Sequence, residues 1–267
     1  MRHPPLDPGG LRRNLEGRRF GHPLIYEERM RSTNDRCLEL LEAGSPEGTL
    51  VICEEQTHGR GRRARQWSSP PRLGITMTLL LRPSLPAACA PLLAFAAAIG
   101  MAGALEEALE KPVRIKWPND LLIAGRKVAG FLSEGRGGTS RPAAVVGVGL
   151  NVNHQENDFP SEIRDRVTSL RLASGRLWDR SLLVTQLLAR WEEEHGVLES
   201  GGSAETCSRW ERLSYLFPGD RVRVDLEGTT RTGRYLGLGP AGELRIEENG
   251  GCPVSFSFGE VARVREG

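Results

Sequence analysis

A chain of 267 residues, 39% hydrophobic and 26% charged, has the length and texture of an ordinary globular protein with one medium domain and a small one. A net charge of +2 excludes the strongly basic balance of a general nucleic-acid binder. Five cysteines without CxxC spacing argue against a disulfide framework or a zinc site, and for a reduced, cytoplasmic setting.

No apolar leader is visible at the start, and residues 1–21, rich in Pro, Gly and Arg without periodicity, predict a mobile arm. "PLIYEERM" predicts a strand. "STND" (32–35) ends it and caps a short helix carrying Cys37, Leu38, Leu40 and Leu41, closed by Gly44. "GTLVICEE" predicts a buried strand leading into "EEQTHGRGRRARQW" (54–67), where Arg60, Arg62, Arg63 and Arg65 fall within six positions. Like charges repel and glycine adds freedom, so this loop costs free energy to order. Residues 58–68 are therefore expected to be mobile until an anion binds.

"GITMTLLLRP" alternates Ile75, Met77, Leu79 and Leu81 with Thr76 and Thr78, predicting a strand with one covered face. The alanine-rich stretch 87–105, interrupted by Pro91, Gly100 and Gly103, predicts a buried helix and no membrane span. Three more strand regions follow: "PVRIKW", the hairpin "LLIAGRKVAGFLSEG" turning at Gly125, and "AAVVGVGLNVN". Residues 181–216 predict helix, with Leu182, Leu183, Leu187, Leu188 and Trp191 on one side. After "FPGD" the runs "RVRVDL", "TTRTGRYLGLG", "ELRIEE" and "VSFSF" predict a small antiparallel barrel. The fold class is α+β, a mixed, largely antiparallel sheet with packed helices. Its divisions are an arm (1–21), a main domain (22–216) and a barrel (217–267).

Several clusters carry chemistry. Ser32, Thr33 and Asn34 suit a small polar head group, although capping explains Ser32 and Asn34 equally well. Only three of 36 basic residues are lysines, Lys111, Lys116 and Lys127, all between 111 and 127. In "KWPND" (116–120), a lysine that bridges phosphate oxygens competes with a plain turn bent at Pro118. Gly147 and Gly149 point to the same face of one strand, leaving room for a slender ligand or a packed helix. The arginine loop alone resembles an Arg/Gly nucleic-acid contact, but aromatic content is 6% and only Trp67 lies near it.

In order, Gln56, "GRGRRARQW", "KWPNDLLIAGRKVAGFLSE" and "GVGLNVN" resemble the biotin–protein ligases over roughly residues 24–217, and a small C-terminal barrel is also that family's pattern. The resemblance implies a class II synthetase-like catalytic domain with an SH3-like barrel. It further implies synthesis of biotinyl-5′-AMP from biotin and ATP with Mg²⁺, then transfer of biotin to one lysine of a biotin carboxyl carrier domain. By position, Ser32, Thr33, Asn34 and Gln56 would bind biotin. Arg60, Gly61 and Arg62 would fold over its carboxylate and the adenylate phosphate, and Gly147 and Gly149 would let it lie against the sheet. Lys116 and Arg62 would be catalytic. Arg63, Arg65, Trp67, Asn119 and Asn151 would join Arg60 and Arg62 at the nucleotide. The resemblance names no magnesium ligands and is compatible with a homodimer. About 22 residues precede the first strand, too few for a winged helix, so no DNA partner is expected. A lipoate ligase or octanoyl transferase, which modifies the same kind of carrier, is the nearest alternative; a nucleic-acid module is a more distant one.

Overall fold

The computed structural model describes residues 3–136, 143–248 and 250–264. Seven strands form the main sheet: β1 (Leu24–Met30), β2 (Leu50–Gln56), β3 (Gly74–Leu81), β4 (Val113–Lys116), β5 (Asp120–Ile123), β6 (Arg126–Arg136) and β7 (Ala143–Asn151). Their order is β1-β2-β3-β7-β6-β5-β4, with β1 and β2 parallel and every other neighbouring pair antiparallel. The helices are α1 (Pro8–Asn14), α2 (Thr33–Glu42), α3 (Pro91–Leu109), α4 (Leu170–Ser174), α5 (Arg180–Glu199) and α6 (Ser203–Arg212). A second, antiparallel sheet runs β11-β10-β9-β8-β12, from β8 (Arg221–Leu226), β9 (Thr229–Leu238), β10 (Leu244–Glu247), β11 (Pro253–Phe256) and β12 (Glu260–Arg263). The α+β class read from the sequence is the observed one.

Strand alternation divides the core. Leu50, Ile52, Met77, Leu79, Leu81, Val146 and Val148 pack with the buried sides of α3 and α5. Val51, Cys53, Leu80, Ala143 and Val145 face the other way, beneath Cys37 and Leu41 of α2. Each fully buried leucine contributes about 1.5–3 kcal/mol. Strand β3 is thus covered on both faces, and Thr76 and Thr78 are buried too, which corrects the expectation of one covered face. By length and composition α3 matches a membrane span, yet most of it is buried in this core, so it is a core helix.

Other expectations change. Residues 181–216 form two helices, because the chain turns at Gly201 (φ +89°) before α6. Strand β12 was not foreseen; its four residues carry too little alternation. The segment expected as a mobile arm is built into the fold. Asp7 caps α1 by accepting from the Gly10 N–H at 2.9 Å, Pro8 starts the helix, and Leu6, Leu11, Leu15 and Phe20 are buried. The buried pair Glu54–Arg180 (2.7 Å) ties this segment down, since Glu54 accepts from the Leu6 N–H and Arg180 donates to the Pro4 carbonyl.

Arg19 makes a second anchor, bridging Glu47 (2.8 Å) and Glu199 beside buried His195. Burial would raise the Glu47 pKa, but His195, the Arg19 guanidinium and the Arg82 N–H outweigh it and hold the carboxyl at about 2. A depressed carboxylate stabilises the fold above its unfolded value, near 4.5, and that contribution is lost as pH falls toward 2. Glu47→Gln is therefore expected to cost about 2 kcal/mol at neutral pH and to flatten the acid limb of the stability curve. Urea denaturation from pH 7 to pH 2 measures this; parallel curves for wild type and variant would contradict it.

Candidate functional site

On the α2 face of the sheet, cross-strand register sets two rows beside and beneath the first turn of the helix. Thr76, Gly149 and Gly130 align across β3, β7 and β6, and Thr78, Gly147 and Leu132 align in the next row. Small and polar residues in both rows leave a hollow in an otherwise apolar sheet. A cavity of about 930 Å³ opens above it.

Every residue that the resemblance assigns to the site lines this one cavity, whereas Lys111 lies apart from it and donates to the Ala173 carbonyl at 2.5 Å. At one end are Ser32, Thr33 and Asn34, presented by the first turn of α2, and Gln56 at the end of β2. The Ser32 hydroxyl accepts from the Asp35 N–H at 3.4 Å, so it does cap the helix. Gln56 Oε1 accepts from the Thr33 N–H (2.8 Å) and hydroxyl (3.0 Å). Asn34 Nδ2 donates to Glu134 at 2.6 Å, and its Oδ1 lies 2.7 Å from the buried Thr78 hydroxyl. Such a network fixes donors and acceptors before any ligand arrives.

Residues 59–67 form the roof as a small hairpin, with an Arg60–Gln66 bridge and the Gly61 N–H donating to the Arg65 carbonyl at 2.7 Å. Arg63 sits in the left-handed region (φ +55°), a strain of roughly 1 kcal/mol for a side chain of this kind. The hairpin rests against the C-terminal sheet. Arg62 donates to the Gly259 carbonyl, Arg63 to the Asp225 carbonyl, and Arg65 to Glu260 at 2.9 Å. Burial, followed by the charge of Arg63, lowers the Arg62 pKa. An anion beside Arg62 would offset that penalty. Arg60 points the other way, to Asp35 (2.5 Å) and Glu134 (3.2 Å).

Gly147 and Gly149 lie in the floor, but their first service is to side chains. A Cβ at Gly147 would run into Asn34, and one at Gly149 into the indole of Trp67. Of the two sequence alternatives, packing room is the one seen: each glycine seats a side chain, Asn34 of α2 and Trp67, that itself lines the cavity.

At the other end, Lys116 and Asp120 close the β4–β5 hairpin around Trp117 and Pro118. Asn119 Nδ2 donates to the Phe131 carbonyl at 2.5 Å and Asn151 Nδ2 to the Thr168 carbonyl at 3.0 Å, so each amide nitrogen braces backbone. The Lys116 ammonium makes no hydrogen bond or ion pair among the described residues. Sequence reading assigned no role to Lys127, which also lines the cavity, pairs with Asp120 at 2.6 Å and stands 5.4 Å from the Trp67 ring centre. Its signal was the confinement of all lysines to 111–127. His154 and Phe159, stacked at 5.1 Å, form a further wall that no motif announced. Burial lowers the His154 pKa to about 4, so this imidazole is neutral at physiological pH.

Arginines above, two ammonium groups at one end and a preset polar network at the other define a site for an anionic small molecule with a polar head group. The pattern of the biotin/lipoate A/B protein ligase family matches residues 26–151. The chain is 36% identical over 253 residues to the bifunctional ligase/repressor BirA of Bacillus subtilis, covering 94% of this chain and 78% of that protein. It is 31% identical over 269 residues to the biotin–[acetyl-CoA-carboxylase] ligase of Mycobacterium tuberculosis, covering 98% and 97%. The fold is similar to that of the biotin protein ligase from Aquifex aeolicus in complex with biotin and ATP. That TM-score is 0.76 at 31% identity, over 90% of this chain and 98% of the other. The chain belongs to this family, among its biotin–protein ligases.

Proposed function

We propose that the protein is an ATP-dependent biotin–[acetyl-CoA-carboxylase] ligase. The observation that carries this reading is that one cavity gathers the polar cluster of α2, the arginine hairpin and both lysines. The relatives' names support biotin over lipoate as the acid.

In this reading Ser32, Thr33, Asn34 and Gln56 hold the ureido head of biotin. Its carboxylate oxygen attacks the α-phosphorus of ATP, a C–O–P bond forms, and pyrophosphate leaves. Lys116 and Lys127 stabilise the charge that gathers there, and preorganised cations of this kind lower barriers by about 2.7–4 kcal/mol each. Arg60, Gly61 and Arg62 cover the mixed anhydride, while Arg63 and Arg65 brace the hairpin against the barrel. Trp67, Asn119 and Asn151 border the nucleotide. A neutral lysine amine of a biotin carboxyl carrier domain then attacks the acyl carbon, forming an amide, expelling AMP and releasing one proton to solvent. No side-chain nucleophile is needed.

Magnesium belongs to this reading as the companion of the ATP phosphates, whose charge it would screen. The cavity's three carboxylates fit that role better than a resident site, because Asp120 is paired with Lys127, Glu260 with Arg65, and Asp158 accepts from the Gln155 N–H. Residues 22–216 act as the catalytic unit and 217–267 as a buttress for its arginine hairpin, in a cytoplasmic enzyme. The repressor activity in one relative's name is not part of the proposal. The nucleic-acid reading loses its main support, since Arg62, Arg63 and Arg65 are turned onto the C-terminal sheet. ATP–pyrophosphate exchange tests the reading. Biotin is expected to stimulate it and lipoate to leave it at background; the reverse would contradict the assignment.

A further inference from the structure

Glu134 ends the stretch KWPNDLLIAGRKVAGFLSE, where the family resemblance assigns it no role, yet one of its oxygens serves both halves of the site. It lies on β6, opposite Val145 of β7, and its side chain is mostly covered. Oε2 accepts from Asn34 Nδ2 at 2.6 Å and from Arg60 Nη2 at 3.2 Å. The first bond has a chemical consequence. An asparagine amide has a donor end and an acceptor end, and a carboxylate accepts only, so Glu134, at 2.6 Å and aided by the Leu132 carbonyl at 3.3 Å, holds Nδ2 on its own side. Oδ1 thereby accepts from the Thr78 hydroxyl and fills the space that a Cβ at Gly147 would take. The second bond holds Arg60, the cationic start of the roof hairpin, beside the helix that carries Ser32, Thr33 and Asn34. Asp35 on that helix shares Arg60 at 2.5 Å.

Resting on the ligase reading above, we propose that Glu134 is a positioning residue. It couples the head-group end of the cavity to the arginine hairpin, setting the Asn34 amide for biotin and keeping Arg60 in place over the adenylate. Glutamine at this position separates the two tasks. It keeps an acceptor oxygen for the Asn34 amide but removes the charge that pairs with Arg60, and charge-assisted bonds are roughly twice as strong as neutral ones. Alanine removes both.

The test uses the full chain as wild type, Glu134→Ala and Glu134→Gln. Biotin affinity is measured by titration calorimetry, and retention of the intermediate by the loss of labelled biotinyl-AMP in a chase with unlabelled compound. Glu134→Ala is expected to weaken biotin binding by about tenfold and to speed adenylate loss by about tenfold. Glu134→Gln should keep biotin affinity within about twofold while still speeding the loss. If Glu134→Ala does not fold, the glutamine variant decides alone, because adenylate loss at the wild-type rate overturns the coupling. Wild-type values for Glu134→Ala in both measurements overturn it too, as do equal losses of biotin affinity in the two variants. A wild-type protein that neither binds biotin nor forms the adenylate refutes the ligase reading itself, before any variant is compared.

Discussion

Adenylate formation is expected to fall about a hundred- to thousandfold when either Lys116 or Lys127 is replaced by alanine. Both ammonium groups line the cavity, but their settings differ. Lys116 has no partner among the described residues, so its full charge is available to an incoming phosphate. Lys127 is held by Asp120 at 2.6 Å beside Trp67, which fixes its place at the cost of part of its charge. Lys116→Arg and Lys127→Arg are expected to restore little, because a planar guanidinium cannot stand in for a compact ammonium in a space shaped for one. Biotin-dependent pyrophosphate exchange, with circular dichroism to establish folding, checks each variant. A lysine whose alanine variant exchanges at the wild-type rate takes no part in the chemistry.

Arg62→Gly is expected to convert a selective ligase into one that labels unrelated proteins. Arg62 is half-buried, bonded to the Gly259 carbonyl, and its charged form is disfavoured by burial and by Arg63. An adenylate phosphate would relieve that penalty, so in the proposed reading the arginine would hold the intermediate. Losing a charge-assisted contact to phosphate costs about 1.5–3 kcal/mol, a ten- to hundredfold faster escape. Glycine also loosens a hairpin that Arg62 helps to pin on the barrel. Activation itself should suffer less, since Lys116 and Lys127 remain. The released anhydride would acylate any exposed amine. Incubation with biotin, ATP and a non-carrier protein, followed by measurement of biotin on its lysines, provides the check. Background labelling with undiminished adenylate synthesis would mean that Arg62 does not retain the intermediate.

Motifs located the cavity better than they described its mechanics. Strands such as β3 and β7 were legible because β-branched and apolar residues alternate or run continuously there. Gly147 and Gly149 marked a place of close approach. What fills that place was not legible: Asn34 and Trp67 reach these glycines from far along the chain, and contact across such distances leaves no local trace. Lys127 was hidden for a similar reason. Its hairpin reads as a β-turn, and only the register of β5 with β6 brings it beside Asp120. Helix α1 shows a different failure. "LDPGGL" holds a cap, a starting proline and an apolar contact, but two glycines masked them, and the burial of Leu11 against the rest of the fold made the helix. The arginine loop was read as free until an anion binds. The barrel carbonyls and Glu260 that hold its hairpin here lie about 160–200 positions away in sequence.

Joining of biotin to a carrier lysine through an adenylate, as proposed for this cavity, is tested most directly by intact-protein mass spectrometry. The full chain is incubated with biotin, ATP, magnesium and a biotin carboxyl carrier domain, with parallel reactions lacking ATP or offering lipoate instead. The carrier is expected to gain the mass of one biotinyl group, on a single lysine, only in the complete reaction. A carrier left unmodified by biotin and ATP, or modified by lipoate in its place, would contradict it.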